Sequence, residues 1–309
     1  MNISFNDAYD KYINYLSLRL KPTTLLGIKR KFDNHILPFF DKSIYMINDD
    51  DYIKWQKYII SLDYSNSFNN HMYTTIKGIF DYLQRFYNIT NLPLKYGKFI
   101  NYKIDNTDSA GTTWNIKQFK KFIKHVDDKV YHALFNILFF AGLRKGEALA
   151  LTFNDIDKKY IKVRSTITKE YFNGKRLIMT PKSKKSIRKI RIDFKLRVEL
   201  KHLRKYYTKK YGYFNNNFFV LGGTSPLATT TVDRKKDKYC KLAHLEPIRI
   251  HDFRHSYATM LYNRNIKLKV IQGLLGHSSI ETTANIYVHT DEKDEKRVQR
   301  VLNLLRLHF

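Results

Sequence analysis

The spacing of apolar residues in the first 90 positions constrains the fold of this chain more than any other feature. Four segments repeat apolar residues about every 3.6 positions, the period of one helix face: residues 5–20, 23–36, 49–62 and 66–87. Pro22 and short polar runs separate these segments. The pattern predicts a small bundle of helices.

Residues 91–114 lose this period and gather Pro, Gly, Asn, Asp and Thr, the residues typical of turns and linkers. A chain of 309 residues is long enough for two domains, each with its own core. We therefore predict one domain over residues 1–105, ending in this linker, and a second over residues 106–309.

Helical periodicity resumes in residues 115–126 and 130–143, and a further helix is predicted after Gly142. Three strand-like runs follow, joined through Asn173-Gly174 and through "PKSKKS": residues 160–168, 175–180 and 187–192. The remainder, from residue 194, returns mainly to helix. The predicted fold class is mainly α with a small antiparallel β-meander, so the second domain is a mixed α/β domain.

Charge indicates the partner. The chain has 56 Lys and Arg against 28 Asp and Glu, a formal net charge of +28. Residues 1–100 hold only 13 of the basic and 9 of the acidic residues, so most of the excess lies in the second domain. A polyanion, nucleic acid, is the expected partner. No apolar run reaches membrane-spanning length and the N-terminus lacks a signal-peptide layout, so we expect a cytoplasmic protein with no membrane partner.

Four short motifs in the second domain carry residues suited to chemistry on a phosphodiester. They are "AGLRKGEAL" with Arg144, "TPKSKKSIRKI" with Lys182, "HDFRHSYAT" with His251 and Arg254, and "LLGHSSIETTANIYVH" with His277 and Tyr287. Gly276 is predicted to end one helix, and Ser278 with Glu281 has the spacing of a capping box that begins the next. His277 is therefore predicted in a tight turn between two helices.

In this order, behind a helical domain, the four motifs resemble those of the tyrosine recombinase (phage integrase) family. The resemblance covers the whole second domain, which corresponds to the catalytic domain of that family. The first domain looks like the family's helical core-binding domain, a looser resemblance carried by "KPTTLLGIKRKFDNHILPFF". About 100 residues before the linker leave no room for an additional N-terminal arm-binding domain, so the element does without arm sites or the chain is a truncated form.

Two guanidiniums can neutralise the non-bridging oxygens of a phosphodiester without a metal, and Arg144 and Arg254 are the candidates. The resemblance implies that Tyr287 is the nucleophile, forming a 3′-phosphotyrosyl enzyme and a free 5′-hydroxyl. His251 then helps to deprotonate or orient the phenol, and His277 hydrogen-bonds a phosphate oxygen. Their division of roles stays open.

Lys182 is the candidate acid that protonates the departing 5′-oxygen, because the family pattern favours the first lysine of the turn. Lys184 and Lys185 remain alternatives. Glu147 is interpreted as support for an arginine. His251 and His255 also have the i, i+4 spacing of a zinc pair, but Asp252 replaces the usual Glu and an arginine lies inside the motif. We expect no metal and no other cofactor, and the single Cys240 excludes an intrachain disulfide.

The predicted function is a site-specific DNA recombinase, an integrase similar to those of phages and conjugative elements from low-GC bacteria, which integrates or excises a mobile element. The resemblance implies a homotetramer on two double-stranded attachment sites, possible accessory DNA-bending or excision factors, and association with the nucleoid. The tail after Tyr287 predicts a last helix that folds back on its own domain or docks on a neighbouring subunit. The alternatives are Xer-type resolution of chromosome or plasmid dimers, a non-catalytic DNA-binding regulator, and a type IB topoisomerase.

Overall fold

The computed structural model describes residues 3–90, 92–93, 112–172, 175–180 and 186–276. The chain forms two compact units, Met1–Asp108 and Ser109–Phe309, which are described separately below. Of the helices in the described ranges, none is both long enough and apolar enough to cross a membrane.

The first unit is built from helices, as the apolar period predicted. Its helices are α1 (Phe5–Ser17), α2 (Pro22–His35), α3 (Asp49–Ser61) and α4 (Asn66–Tyr87). The side chains of Ser4, Asn48 and Ser65 cap α1, α3 and α4 by accepting hydrogen bonds from backbone N–H groups in the first turn. Pro22 occupies the first turn of α2, where no hydrogen-bond donor is needed.

Aromatic side chains fill the core of this unit. Phe5, Phe32, Phe40, Trp55 and Phe80 are fully buried. Trp55 also donates its Nε1 hydrogen to the carbonyl oxygen of His35 at 2.7 Å, which satisfies its polar atom inside the core.

The second unit contains seven α-helices in its described part. They are α5 (Ile116–Ile123), α6 (Lys129–Ala141), α7 (Lys145–Ala150), α8 (Phe194–Tyr211), α9 (Thr229–Leu242), α10 (Ile250–Tyr262) and α11 (Leu268–Leu275). Helix α6 is central because its buried aromatic residues contact helices on two sides. Phe139 stacks on Phe119 of α5 with ring centroids 4.0 Å apart, and Phe135 stacks on Phe253 of α10 with centroids 5.6 Å apart.

Four strands follow α7: β1 (Tyr160–Val163), β2 (Thr166–Phe172), β3 (Lys175–Met179) and β4 (Arg188–Arg191). The predicted hairpin between the first two runs is confirmed as the antiparallel pair β2–β3. The rest of the predicted meander is wrong. The run 160–168 is split into β1 and β2, and β4 pairs with β1 instead of β3.

The physical reason for this pairing is the distribution of apolar residues. Ile161 of β1 lies directly opposite Ile190 of β4, and both are buried in the core. Val163, which is buried too, lies opposite Arg188. Pairing β1 with β4 therefore brings Ile161, Val163 and Ile190 to the core together and sets Arg188 at the start of β4 on the same side.

Candidate active site

Arg144 lies at the predicted break between two helices. Helix α6 ends at Gly142, which has a positive φ of 62°, and Arg144 is the N-cap residue of α7. Arg144 donates its backbone N–H to Oε2 of Glu147 at 2.9 Å and its Nη1 hydrogen to Oε1 at 2.8 Å. The Arg144 side chain remains 37% exposed, so its guanidinium is accessible from solvent.

Arg254, on α10, is almost completely buried, with 2% of its surface exposed. Its Nη1 donates to the carbonyl oxygen of Gly142 at 2.8 Å, and its Nη2 donates to that of Leu275 at 2.6 Å. Its buried Nε has no hydrogen-bond partner in the described part of the chain. Burial and the nearby Arg144 lower the pKa of Arg254 to about 9, which leaves the group charged at neutral pH.

A buried carboxylate, that of Glu147, lies among three arginines. Arg188 of β4 holds it with a two-pronged contact, from Nη1 to Oε1 at 3.1 Å and from Nη2 to Oε2 at 2.9 Å. Arg254 Nη1 lies 4.0 Å from Oε2. Burial alone would raise the pKa of Glu147, but the hydrogen bonds and charges of Arg188 and Arg144 outweigh it and lower the pKa to about 2.

The arrangement gives a local excess of positive charge. One ionised carboxylate faces three guanidiniums, so two cationic charges are left without an acidic partner within this group. Of the three, Arg144 has the most accessible side chain, and the side chains of Arg188 and Arg254 are almost completely buried. A cluster of this kind can bind an anion and stabilise additional negative charge on it, without a metal ion.

His251 lies in the first turn of α10 and is exposed, while its ring contacts that of His255 nearly at right angles with centroids 4.7 Å apart. Partial desolvation lowers the pKa of His251 to about 4, and the charges of His255, Arg254 and Arg144 act in the same direction. The imidazole is therefore neutral at pH 7 and can accept a proton.

The end of α11 is attached to all three arginines. Three consecutive carbonyl oxygens accept hydrogen bonds: that of Leu274 from Arg188 Nε at 2.7 Å, that of Leu275 from Arg254, and that of Gly276 from Arg144 Nη2 at 3.5 Å. Gly276 has a positive φ of 67° and ends α11, as its position in the sequence predicted.

Three of the six predicted site residues, Arg144, His251 and Arg254, thus lie in one region of the second unit. Lys182, His277 and Tyr287 lie outside the described residues, and their roles remain predictions.

Arg188 is a site residue that the sequence interpretation missed. In β4 it lies two residues before the buried Ile190, so both side chains are on the core-facing side of the strand. An arginine at such a position needs an acidic partner. The two-residue spacing between Arg188 and an apolar strand residue is the signal that could have identified Arg188 as a site residue.

The acid between His251 and His255, the pair with the i, i+4 spacing, is engaged by an arginine. Asp252, the acid between them, forms a two-pronged contact with Arg249, at 3.1 Å to Oδ2 and 3.0 Å to Oδ1. No group of three His, Cys, Asp or Glu side chains in the described ranges is arranged to hold a metal ion.

Two family models match the chain. The phage integrase family matches residues 112–294, and the N-terminal SAM-like domain of phage integrases matches residues 4–60. The first match alone covers more than half of the chain and includes all six predicted site positions.

Among curated relatives, the ICEBs1 integrase of Bacillus subtilis is 28% identical over 96% of this chain and 82% of its own length. A XerC-like tyrosine recombinase of Caldanaerobacter subterraneus is 34% identical over 62% of this chain and 54% of its own length.

Among solved structures, the Tn1549 transposon integrase in complex with transposon right end DNA has a TM-score of 0.76 at 22% identity, covering 97% of this chain and 100% of the other. A lambda integrase tetramer bound to a Holliday junction has a TM-score of 0.66 at 16% identity, covering 92% and 77%. These likenesses support the fold. With the family matches, they show that the chain belongs to the phage integrase family and is a tyrosine recombinase, an enzyme that breaks and rejoins DNA.

Proposed function

We propose that this recombinase integrates or excises a mobile element, using Arg144 and Arg254 to bind the scissile phosphate and Tyr287 to attack it. The observation that carries the site assignment is the group of three guanidiniums around Glu147. It has two cations in excess, one exposed guanidinium and a buried Arg254 Nε with no described partner. A phosphodiester anion supplies the negative charge and the acceptor oxygens that this group lacks.

The reaction proposed at this site has two balanced proton transfers. The phenolic oxygen of Tyr287 attacks phosphorus and forms a phosphotyrosyl bond while the bond from phosphorus to the 5′-oxygen breaks. The phenolic proton passes to His251, an imidazole that is neutral at pH 7 and can therefore accept it. Lys182 gives a proton to the leaving 5′-oxygen, and His277 donates a hydrogen bond to a phosphate oxygen.

Strand exchange is the reverse step with a different strand. A 5′-hydroxyl of the partner DNA attacks the phosphotyrosyl bond, and Tyr287 leaves as a phenol. The phosphodiester energy is kept in the covalent bond, so the proposed cycle needs no nucleotide hydrolysis.

We propose double-stranded attachment sites as the DNA partner and a homotetramer on two sites as the active assembly. The net charge of +28 supports binding to DNA. Support for the assembly comes from the fold: this chain resembles one chain of the lambda integrase tetramer bound to a Holliday junction. We also propose accessory DNA-bending or excision factors, and a cytoplasmic location at the nucleoid.

Covalent trapping tests this function and locates the target sequence in the same experiment. The full chain is incubated with sheared genomic DNA of its source cell, denatured with detergent, and the protein-linked fragments are sequenced. We expect fragments that end at one or two defined positions, with the protein on the 3′ end. Protein attached to 5′ ends, or no protein-linked DNA when the protein is bound at its enriched sites, would contradict the proposal.

Xer-type dimer resolution is the second candidate, and the 34% identity to the XerC-like recombinase favours it. The relative matched over 96% of this chain is instead the ICEBs1 integrase, which favours a mobile element. The trapped sequences separate the two functions. Junctions between an element and a chromosomal site indicate integration, while a single site that recombines only with a second copy of itself indicates dimer resolution.

A further inference from the structure

We propose that Arg188 is a positioning residue of the recombination reaction, which shares the Glu147 carboxylate with Arg144 and so leaves positive charge on the Arg144 guanidinium for the phosphate. The inference rests on the proposed function of this site. It concerns a residue on β4 that the assigned chemistry does not use.

Arg144 and Arg188 share one carboxylate, that of Glu147. Glu147 accepts from the backbone and the Nη1 of Arg144, and also from both Nη atoms of Arg188. The Arg188 side chain is only 6% exposed and that of Glu147 only 3%, so water cannot replace either partner at low cost.

Arg188 also sets the charge balance around Glu147. If Arg188 is absent, the buried carboxylate of Glu147 keeps two cationic neighbours, Arg144 and Arg254. Its full negative charge then cancels part of the positive potential that both arginines offer to a phosphate. Because Arg188 adds a third cation and a two-pronged contact to Glu147, the group as a whole keeps two positive charges in excess for the substrate.

Arg188 also fixes the relative position of three elements of the second unit. Arg188 donates its Nε hydrogen to the carbonyl oxygen of Leu274 at 2.7 Å, in the last turn of α11. A single guanidinium therefore joins β4, the start of α7 through Glu147, and the end of α11. Lysine cannot replace it, because an ammonium group on a flexible chain lacks the planar fork that holds a carboxylate and a carbonyl together.

The test compares Arg188→Gln with Arg191→Gln in the full chain. Arg191 lies three residues further along the same strand and is exposed. Its replacement also removes one positive charge, but from a residue that does not contact Glu147 in the described structure. Two substrates are used: DNA with a normal scissile phosphate, and DNA whose scissile phosphate carries a methyl group in place of one non-bridging oxygen. The methyl substrate is neutral at phosphorus and depends less on the guanidiniums.

We expect Arg188→Gln to slow covalent adduct formation on normal DNA on the order of 10²-fold, as misdirection of a catalytic group does. On the methyl substrate we expect this deficit to shrink by roughly tenfold or more, since less charge has to be neutralised. Arg191→Gln should form the adduct at close to the wild-type rate on both substrates. Arg188→Lys should retain the charge but recover only part of the rate.

Several results would overturn the inference. Equal deficits of a folded Arg188→Gln variant on both substrates would make Arg188 a structural residue only, and equal deficits of both Gln variants would reduce it to general DNA attraction. If Arg188→Gln does not fold, the double variant Glu147→Gln, Arg188→Gln removes the unpaired carboxylate. With no carboxylate left to cancel the charge of Arg144 and Arg254, it should form the adduct on normal DNA at about the rate of Glu147→Gln alone. A further large deficit relative to Glu147→Gln, equal on both substrates, would also contradict the inference.

The inference and the proposed function fail separately. If the wild-type chain forms no adduct, the proposed function is wrong. If the wild type forms the adduct and Arg188→Gln forms it equally fast, only the role of Arg188 is wrong.

Discussion

Arg254 donates its Nη2 hydrogen to the carbonyl oxygen of Leu275 at 2.6 Å, so an arginine proposed to bind the phosphate also holds the last residue of α11. Arg144 makes only a long contact with the next carbonyl, that of Gly276, at 3.5 Å. The two arginines therefore differ in how far they are committed to the fold. Arg254 has a structural role in addition to its proposed role in catalysis. Arg144 is held less tightly by backbone carbonyl oxygens.

This difference predicts different effects of Arg144→Ala and Arg254→Ala. Each should lower the cleavage rate on the order of 10²-fold or more, because each removes a cation where negative charge develops. Arg254→Ala should lower the free energy of unfolding more than Arg144→Ala, by about 1–3 kcal/mol, since it leaves two buried carbonyl oxygens without their donor.

Adduct formation, DNA binding and thermal unfolding of the two variants measure these effects. Affinity for DNA should change far less than the cleavage rate. Equal losses of affinity and rate would reduce both arginines to contacts with the DNA backbone, and equal unfolding temperatures would contradict the structural role of Arg254.

The lowered pKa of Glu147 predicts a pH dependence of stability. Its pKa is about 2 in the folded chain against an ordinary value of 4.5, so the ionised group stabilises the fold above pH 4.5. This contribution is lost as the pH falls from 4.5 towards 2. The difference in unfolding free energy between wild type and Glu147→Gln should therefore shrink over that range.

Chemical unfolding between pH 6 and pH 2.5 measures that difference, with Glu246→Gln, at an exposed carboxylate, as the control. A wild-type advantage over Glu147→Gln that stays constant down to pH 2.5 would show that the carboxylate is not held in its ionised form by the arginines.

The turn before Arg144 predicts that Gly142→Ala is destabilising. A Cβ there would lie 2.4 Å from the Tyr257 ring, and the positive φ of 62° adds strain for any L side chain. The matched control is Gly273→Ala in α11, where a Cβ meets nothing within 4 Å. We expect Gly142→Ala to lower the unfolding temperature and slow cleavage, and Gly273→Ala to leave the temperature unchanged or raise it. The opposite order would contradict the described turn.

A sulfur substrate tests the proposed role of Lys182. Loss of a general acid typically slows a reaction by about 10²- to 10⁴-fold, so Lys182→Ala should cleave normal DNA slowly. Replacing the bridging 5′-oxygen by sulfur removes the need for an acid, because a thiolate leaves readily. The variant should therefore be rescued on the sulfur substrate, whereas Arg144→Ala and Arg254→Ala should not.

The same comparison for Lys184→Ala and Lys185→Ala identifies which lysine of the turn is the acid. If Lys182→Ala stays equally impaired with sulfur in place, it contacts the phosphate and the proton comes from another group.

Local signals in the sequence were sufficient for the helices. The apolar period located α1 to α4, and the glycines at 142 and 276 located two helix ends next to the arginine cluster. Motif order was sufficient for the family, which the match over residues 112–294 confirms.

Pairing between distant segments was not accessible in the same way. No local signal in the sequence indicates that β4 pairs with β1, because the match of Ile161 with Ile190 depends on the core that both strands cover. Arg188 was missed for the same reason: its partner Glu147 lies 41 positions away, and the contact exists only after β4 has been placed.

The proposed reaction depends on Tyr287 as the nucleophile, and identification of the DNA-linked residue shows whether it has this role. A nicked substrate built on the trapped cleavage site releases the short strand after cleavage, so the covalent complex accumulates and can be digested and analysed by mass spectrometry. We predict a nucleotide linked through its 3′-phosphate to the peptide that contains Tyr287, and no adduct with Tyr287→Phe, which loses only the phenolic oxygen. A linkage to any other residue, or an undiminished adduct with Tyr287→Phe, would contradict the account.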